Sequence, residues 1–517
     1  MSDHRARTLM VVGTSSSAGK SLIVTALCRV FARMGVRVAP FKGQNLSNNA
    51  AVCSDGSEIG RAQAVQALAA GIAPSVDMNP LLLKPGGGGT SQVILSGRPA
   101  GRGTEQFYRD NWSNLWDSIT GALDRLRATY DLVIIEGAGA VAELNNGGRD
   151  LANLSIARYA GSPALLVGDI ERGGVFAQLL GSLWLLPPGE RELIKGFIVN
   201  KFHGDAALFD GGVSILQERS GVPVLGIVPF LEDLALPEED AASLDGPVHE
   251  RRQEGATDIA VIRFPHIANF DDFDPLSREP GVYLHYVASL QDWGNPAAVI
   301  LPGTHATMAD LAWLRSKGLA DAICRAATGG VPVVGICGGY QMLGRRITDP
   351  GHTESDLDSA DGLGLLNHTT AFDATKTTHQ VRARLGTAPG WMAPLAGQTI
   401  DGYEIHMGRS SGGTPWLLVP HGGQDEAVTP QGNATPDGRC WGCYLHGIFC
   451  NETFRRTWLA SLGWRQLPAG TAASAVEESL DRLADAVLCA LDMNALQAII
   501  EGRDTGFGTA RGERHAT

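Results

Sequence analysis

Apolar residues in this chain gather into short runs divided by glycine and polar residues. Over the first 235 or so residues the runs are TLMVVG, VRVAPF, DLVIIEG, ALLVGD, GFIVNKF and VPVLGIVPF. Runs of that length predict buried strands, and the helix-length stretches between them predict an α/β fold with a mainly parallel sheet. Most runs end on Gly, Lys, Glu, Asp or Asn. Ligands of open α/β sheets bind beyond the carboxyl ends of strands, so this placement predicts a nucleotide-type site.

The pattern breaks between about 236 and 257, where EEDAASLDGPVHERRQEG is polar and without period. That stretch reads as a linker. A second α/β region follows at 258–465, with strand-like IAVIRFP, AAVILPG, VPVVGIC and CYLHGIF. Over 466–501, Val476, Leu480, Leu483, Val487 and Leu491 recur at helical spacing. The tail at 502–517 reads as disordered, and no short fixed repeat is present.

A length of 517 residues exceeds one hydrophobic core and agrees with two or three domains. Hydrophobic content of 44% and charged content of 19% describe an ordinary folded chain. No apolar run is long enough for a signal peptide or a membrane span, which predicts a cytoplasmic location and no membrane partner. Eight cysteines are too sparse for a disulfide scaffold. A formal charge of -13 supplies no basic field, which argues against a nucleic-acid partner. An anionic substrate must then meet local Lys and Arg. The oligomeric state stays open, a homo-oligomer included.

GTSSSAGKS, Gly13 to Ser21, stands between the first strand and an apolar-periodic helix. Backbone N–H groups of such a loop wrap phosphates, Lys20 reaches the terminal ones, and Ser21 is placed to ligate Mg2+. Gly13, Thr14 and Gly19 belong to the same loop. Five residues separate Gly13 from Gly19, where the standard phosphate loop has four. The loop resembles that of dethiobiotin-synthetase-like ATPases, which share the longer spacing. The bland alternative is a Gly/Ser turn before a helix. Glu136, ending DLVIIEG, is the first candidate for a Mg2+ ligand, and Asp169, ending ALLVGD, the weaker one. VNKF resembles the base-recognition strand of the same ATPases, with Asn200 suited to an adenine edge. KGQNLSNNA, RAQA and NPLLLKPGGGGTSQVILSGRP carry Lys42, Arg61, Lys84 and Arg98. These cations are candidates for holding a polyanion, with solvated surface charge as the equal alternative.

VPVVGICGGYQMLG is the most specific segment. It delivers Cys337 from a buried strand to a glycine-flanked turn that opens a helix, the form of a nucleophile elbow. Gly335-Ile336-Cys337-Gly338-Gly339-Tyr340-Gln341 meets every position of the class I glutamine amidotransferase signature. That resemblance implies Cys337 as nucleophile, Gly303 and Gly338 as oxyanion donors, Gln341 on the glutamine side, and His446 of YLHGIF as base. Read alone, CWGCYLHGIFC also fits a zinc knuckle of Cys440, Cys443, His446 and Cys450. Zinc would take the imidazole that Cys337 needs, so the two readings compete, and strand alternation would separate Cys443 from His446. The class I pattern places an acid two residues after the histidine, where this chain has Ile448. A Cys–His dyad, or an acid from elsewhere such as Glu404, would replace it.

A dethiobiotin-synthetase-like ATPase ahead of a class I glutaminase resembles the cobyrinic acid amidases of cobalamin biosynthesis over roughly residues 8 to 465. The resemblance implies a corrinoid substrate, glutamine as nitrogen donor, and ATP with Mg2+ to activate carboxylates as acyl phosphates. GTSSSAGKS, PFKGQNLSNNA, MNPLLLKP, SQVILSGRP, DIERGGVFA and GYEIHMG favour the branch that amidates the b, d, e and g carboxylates of adenosylcobyrinate a,c-diamide. The rivals are the branch that amidates a and c, and a regulatory ATPase with an idle second domain. The intact cysteine signature argues against the last.

Overall fold

The structure is a computed structural model describing residues 5–86, 91–144, 150–237, 239, 255–373, 375–420, 428–465 and 472–503. The apolar runs of the first half form six strands: β1 (Arg7–Gly13), β2 (Val38–Phe41), β3 (Leu132–Glu136), β4 (Ala164–Asp169), β5 (Ile194–Phe202) and β6 (Val224–Pro229). They assemble in the order β6-β5-β4-β1-β3-β2, every pair parallel. β1, β3 and β4 are buried almost throughout, as continuous apolar strands covered on both faces must be. Helix α1 (Lys20–Arg33) leaves the loop after β1.

The second half repeats the plan with β7 (Thr257–Ile262), β8 (Val282–Val287), β9 (Ala298–Leu301), β10 (Val333–Ile336), β11 (Asn433–Ala434) and β12 (Cys440–Cys443). Their order is β8-β7-β9-β10-β12-β11, with only the β11–β12 pair antiparallel. Each half has its own apolar core. All eight cysteines are free thiols. No helix among the described residues is long and apolar enough to cross a membrane.

The polar, glycine-rich connections of the first half are structured. Gln44–Leu46, Leu81–Pro85, Ser91–Leu95 and Arg98–Gly103 form a four-stranded sheet. Ala50, Val52, Leu82 and Ile94 from this region bury Ile405 of the second half, so an apolar patch joins the two halves. Part of the run at 86–89 lies outside the described residues, as does the tail from 504. Of the expected linker, Leu236 is buried on the first half, Thr257 already begins β7, and 240–254 lie outside the described residues.

The helical stripe near the C-terminus forms α4 (Ala472–Ala490) and α5 (Met493–Glu501). These helices return to the first half. Leu480, Leu483, Val487 and Leu491 pack with Leu9, Ile23 and Leu27. Arg29 bridges Glu477 and Asp481 at 2.9 Å, and Arg33 meets Asp485 at 2.7 Å. Apolar burial carries this docking, since partly exposed ion pairs add little.

Candidate functional site: a thiol triad and a phosphate loop

β9, β10 and β12 are neighbours, so their carboxyl ends bring Gly303, Cys337 and His446 to one edge of the sheet. Cys337 follows β10 with φ 52° and ψ -112°, outside the regions open to L-residues. Such a conformation costs about 1–3 kcal/mol and persists only where the surroundings enforce it. The enforcement is visible in its neighbours. A Cβ on Gly339 would stand 2.0 Å from the Leu301 carbonyl oxygen, and one on Gly335 would stand 2.7 Å from the Tyr340 nitrogen. Glycine at both positions lets α3 (Gly338–Leu343) seat directly against β9 and β10.

The Cys337 N–H donates to the Cys443 carbonyl at 2.9 Å and that of Gly339 to Pro302 at 3.0 Å. Gly338 opens the helix directly after Cys337, and a Cβ on it would meet Thr304 Cγ2 at 2.7 Å. Gly303 borders the same spot: a Cβ there would meet His446 Cε1 at 3.2 Å and Cys337 Cβ at 3.7 Å.

His446 and Cys337 flank the same point over Gly303, and the Cys337 Sγ faces the Ile405 carbonyl at 3.5 Å. His446 Nδ1 lies 2.7 Å from Asp272 Oδ2, and Asp272 Oδ1 accepts the Gly447 N–H at 2.8 Å. Burial by itself would hold the imidazole below its ordinary range, but Asp272 and the Cys337 sulfur push it up to about 10. The orienting acid is therefore Asp272. Glu404 accepts from Gln431 and pairs with His379 at 3.1 Å. Sequence reasoning passed over Asp272, although the acid pair in NFDDFD, just beyond β7, was the signal for it. Cys443 Sγ faces the Leu445 carbonyl, Cys450 is exposed, and His446 Nδ1 is committed to Asp272.

The triad opens into a cavity of about 510 Å3 lined from both halves, by Cys337, Gly303 and His446 and by Lys84, Gln92 and Arg102. Gln341 lines it too, yet its amide is engaged. Nε2 donates to Met407 O at 2.9 Å and to Tyr444 Oη at 3.3 Å, and Oε1 accepts from Thr307 at 3.0 Å. Glu354 sits on the same wall, where burial raises its carboxyl to about 8.

At the other site, β1 runs beside β3 with Val11 opposite Glu136. Glu136 therefore lies under the phosphate loop. Ser21 Oγ donates to Glu136 Oε1 at 2.9 Å, Lys42 Nζ reaches the same oxygen at 2.8 Å, and Gln66 donates to Oε2 at 2.5 Å. Burial opposes ionisation of Glu136, but the Lys42 ammonium and these hydrogen bonds outweigh it and lower its pKa. Lys20 Nζ curls onto the carbonyls of Ser15, Ser16 and Gly139 at 2.8–3.2 Å. Gly19 has φ 95°, and a Cβ there would meet Asn200 Nδ2 at 2.1 Å. Asn200 itself donates to Ala18 O at 2.9 Å, and Thr14 to Gln178 at 3.1 Å.

Other expected residues go elsewhere. Asp169 is held by Lys201 at 2.9 Å rather than by Ser21 or Lys20. Lys84 is buried on Glu58, which also takes Lys376 of the second half. Arg61 pairs with Asp271 at 3.0 Å, and Arg98 is exposed. Of the four cations proposed for a polyanion, Lys42, Arg61 and Lys84 are thus paired with acids of the chain itself.

Comparison with known proteins finds one family match in each half. Residues 9–244 match the CobQ/CobB/MinD/ParA nucleotide binding domain, and residues 258–454 match the CobB/CobQ-like glutamine amidotransferase domain. The chain is 52% identical over 500 residues to the cobyric acid synthase of Chloroflexus aurantiacus, covering 96% of this chain and 99% of that one. It is 51% identical to that of Chloroflexus aggregans (95% and 98% covered) and 50% identical to that of Roseiflexus castenholzii (93% and 96% covered). Likeness of this degree along the whole chain, with a phosphate loop in one half and a thiol triad in the other, places the protein in the cobyric acid synthase family.

Proposed function

We propose that the chain converts the b, d, e and g carboxylates of adenosylcobyrinate a,c-diamide to amides, using glutamine as nitrogen donor and ATP as activator. The observation that carries this reading is the cavity in which the Cys337–His446–Asp272 triad meets residues of the nucleotide-binding half. Ammonia released there emerges beside the second catalytic unit and need not cross bulk water, where it would be mostly ammonium.

Residues 1–235 act as the amide synthetase domain and 258–465 as the glutaminase, with 236–257 joining them and 466–501 tying the chain's end back to the synthetase. In the glutaminase, the Cys337 sulfur attacks the side-chain carbonyl of glutamine. His446, oriented by Asp272, carries the proton to the departing ammonia. The N–H groups of Gly303 and Gly338 receive the developing oxyanion. Water then opens the thioester and releases glutamate.

In the synthetase, a corrin carboxylate attacks the terminal phosphorus of ATP and ADP departs. Ammonia displaces phosphate from the acyl phosphate and leaves the amide. The loop from Gly13 to Gly19 holds the phosphates, Lys20 swings from its carbonyl contacts to the terminal one, and Asn200 borders the base. The hydroxyl of Ser21 and the ionised carboxylate of Glu136, 2.9 Å apart, are hard oxygen donors of the kind that suit Mg2+. That ion, when bound, neutralises charge on the phosphates.

Mass spectrometry of the product tests the proposal. With adenosylcobyrinate a,c-diamide, glutamine and ATP, four new amides are expected. Turnover of cobyrinate to its a,c-diamide instead, or ATP hydrolysis with no glutamine consumed, would overturn it.

A further inference from the structure

Helix α2 (Arg61–Ala69) belongs to the nucleotide-binding half, yet its first residue reaches into the glutaminase. The Arg61 guanidinium pairs through Nε with Asp271 at 3.0 Å and donates to the Tyr403 hydroxyl, lying 5.3 Å from the centre of that ring. Asn269 donates to the same hydroxyl at 2.9 Å. Both contacts lead to the triad. The Tyr403 ring stacks on the His446 imidazole, with centroids 5.3 Å apart and planes 15° from parallel, and the two residues exchange backbone hydrogen bonds at 2.9 and 3.2 Å. Asp271 immediately precedes Asp272, the acid that orients His446.

Electrostatics gives a reason for a cation at this point. Asp271, its side chain 10% exposed, adjoins the buried Asp272, and desolvation together with the Asp272 charge disfavours a second carboxylate there. His446 balances one acid and Arg61 the other. Without Arg61, a buried unpaired carboxylate would stand beside the one that holds the histidine, and Tyr403 would lose the donor that fixes its ring. A planar, forked guanidinium spans both partners at once, which an ammonium on a flexible stem does not.

We propose that Arg61 is a positioning residue for glutamine hydrolysis, supplied by the synthetase half to complete the glutaminase. The inference rests on Cys337 and His446 being the hydrolytic pair. It also gives α2 two ends of interest: Gln66, little more than one turn further on, is the residue that bonds Glu136 at the phosphate site. One rigid element therefore touches both active sites.

The test uses the full chain and three steady-state assays: glutamate release from glutamine, glutamine-dependent amidation and ammonia-dependent amidation. Arg61→Gln is expected to lower kcat for glutamate release about tenfold to hundredfold, the scale of a misplaced catalytic group. KM for glutamine should stay within about twofold, as should ammonia-dependent amidation and KM for the corrinoid. Arg61→Lys should restore only part of the loss. An unchanged kcat for glutamate release, or a raised corrinoid KM with hydrolysis intact, would overturn the inference and return Arg61 to substrate binding.

Should Arg61→Gln fail to fold, Tyr403→Phe decides, because it removes one oxygen and keeps the stacked ring. A severalfold fall in kcat at constant KM supports the positioning role, and no change refutes it. Cys337→Ala run in parallel separates the two levels. Hydrolysis that survives it defeats the active-site reading itself. Hydrolysis that dies with it but ignores Arg61→Gln defeats only the present inference.

Discussion

The two catalytic centres obey the same rule of placement and differ in how far they reach for their parts. At the phosphate site, Lys20 and Ser21 open α1 after the loop that follows β1, and Glu136 ends the adjacent strand β3, all inside one half. At the thiol site, Gly303, Cys337 and His446 also stand at the ends of neighbouring strands. Its acid, however, comes from a short turn ten residues beyond β7 (Ile262 to Asp272), and its buttress comes from the other half of the molecule. Parallel-sheet topology alone assembles a nucleotide site. A nucleophile that needs an oriented base also depends on segments that the sheet does not place.

The contrast breaks most sharply when each centre is disabled in turn. Cys337→Ala should reduce glutamine-dependent amidation about ten-thousandfold or more, the scale of losing a covalent nucleophile, while added ammonia still supports synthesis. Lys20→Ala should do the reverse, with both synthetic activities down about a hundredfold to a thousandfold and glutamate release retained. Product formation and glutamate release, followed together, read out both. Loss of ammonia-dependent synthesis in Cys337→Ala would show that the cysteine does more than generate ammonia.

Asp272→Asn probes the longer reach of the thiol site. It should cost about a hundredfold in glutamine hydrolysis, on the scale of general acid–base assistance, and spare ammonia-dependent synthesis. Asp272 holds the His446 imidazole near 10, against an ordinary value of 6.5. A histidine whose pKa is raised on folding stabilises the fold fully below about pH 6.5 and loses that contribution as pH climbs through about 10. In Asp272→Asn the imidazole should titrate far lower, which histidine NMR measures. Glutamine hydrolysis at wild-type rate would return the site to a Cys–His dyad.

The smallest effect sharpens the local half of the comparison. Gly339→Ala would set a methyl group 2.0 Å from the Leu301 carbonyl and force α3 away from β9. A loss of about 3 kcal/mol, read from chemical denaturation, is expected for such overpacking. Unchanged stability would mean that the elbow is less tightly enforced than its geometry indicates.

Much of this protein was legible in order of residues alone. Continuous apolar runs gave the strands, because a strand buried on both faces admits little else. GTSSSAGKS and GICGGYQ pointed to two candidate sites, because tight turns that present backbone N–H groups require glycine at set positions; Glu136 was read from its place at a strand end and His446 from the family resemblance. Sequence also marked Lys42, Arg61, Lys84 and Arg98 as candidates for holding a polyanion, with solvated surface charge as the alternative. It could not assign their partners, since an ion pair depends on which segments the fold brings together. Only tertiary structure chose Asp272, 174 residues from His446 in the chain, over Glu404, which is 42 residues away. Only tertiary structure turned Arg61 inward, because its acid and its tyrosine lie hundreds of residues away and meet it where the two halves close on each other.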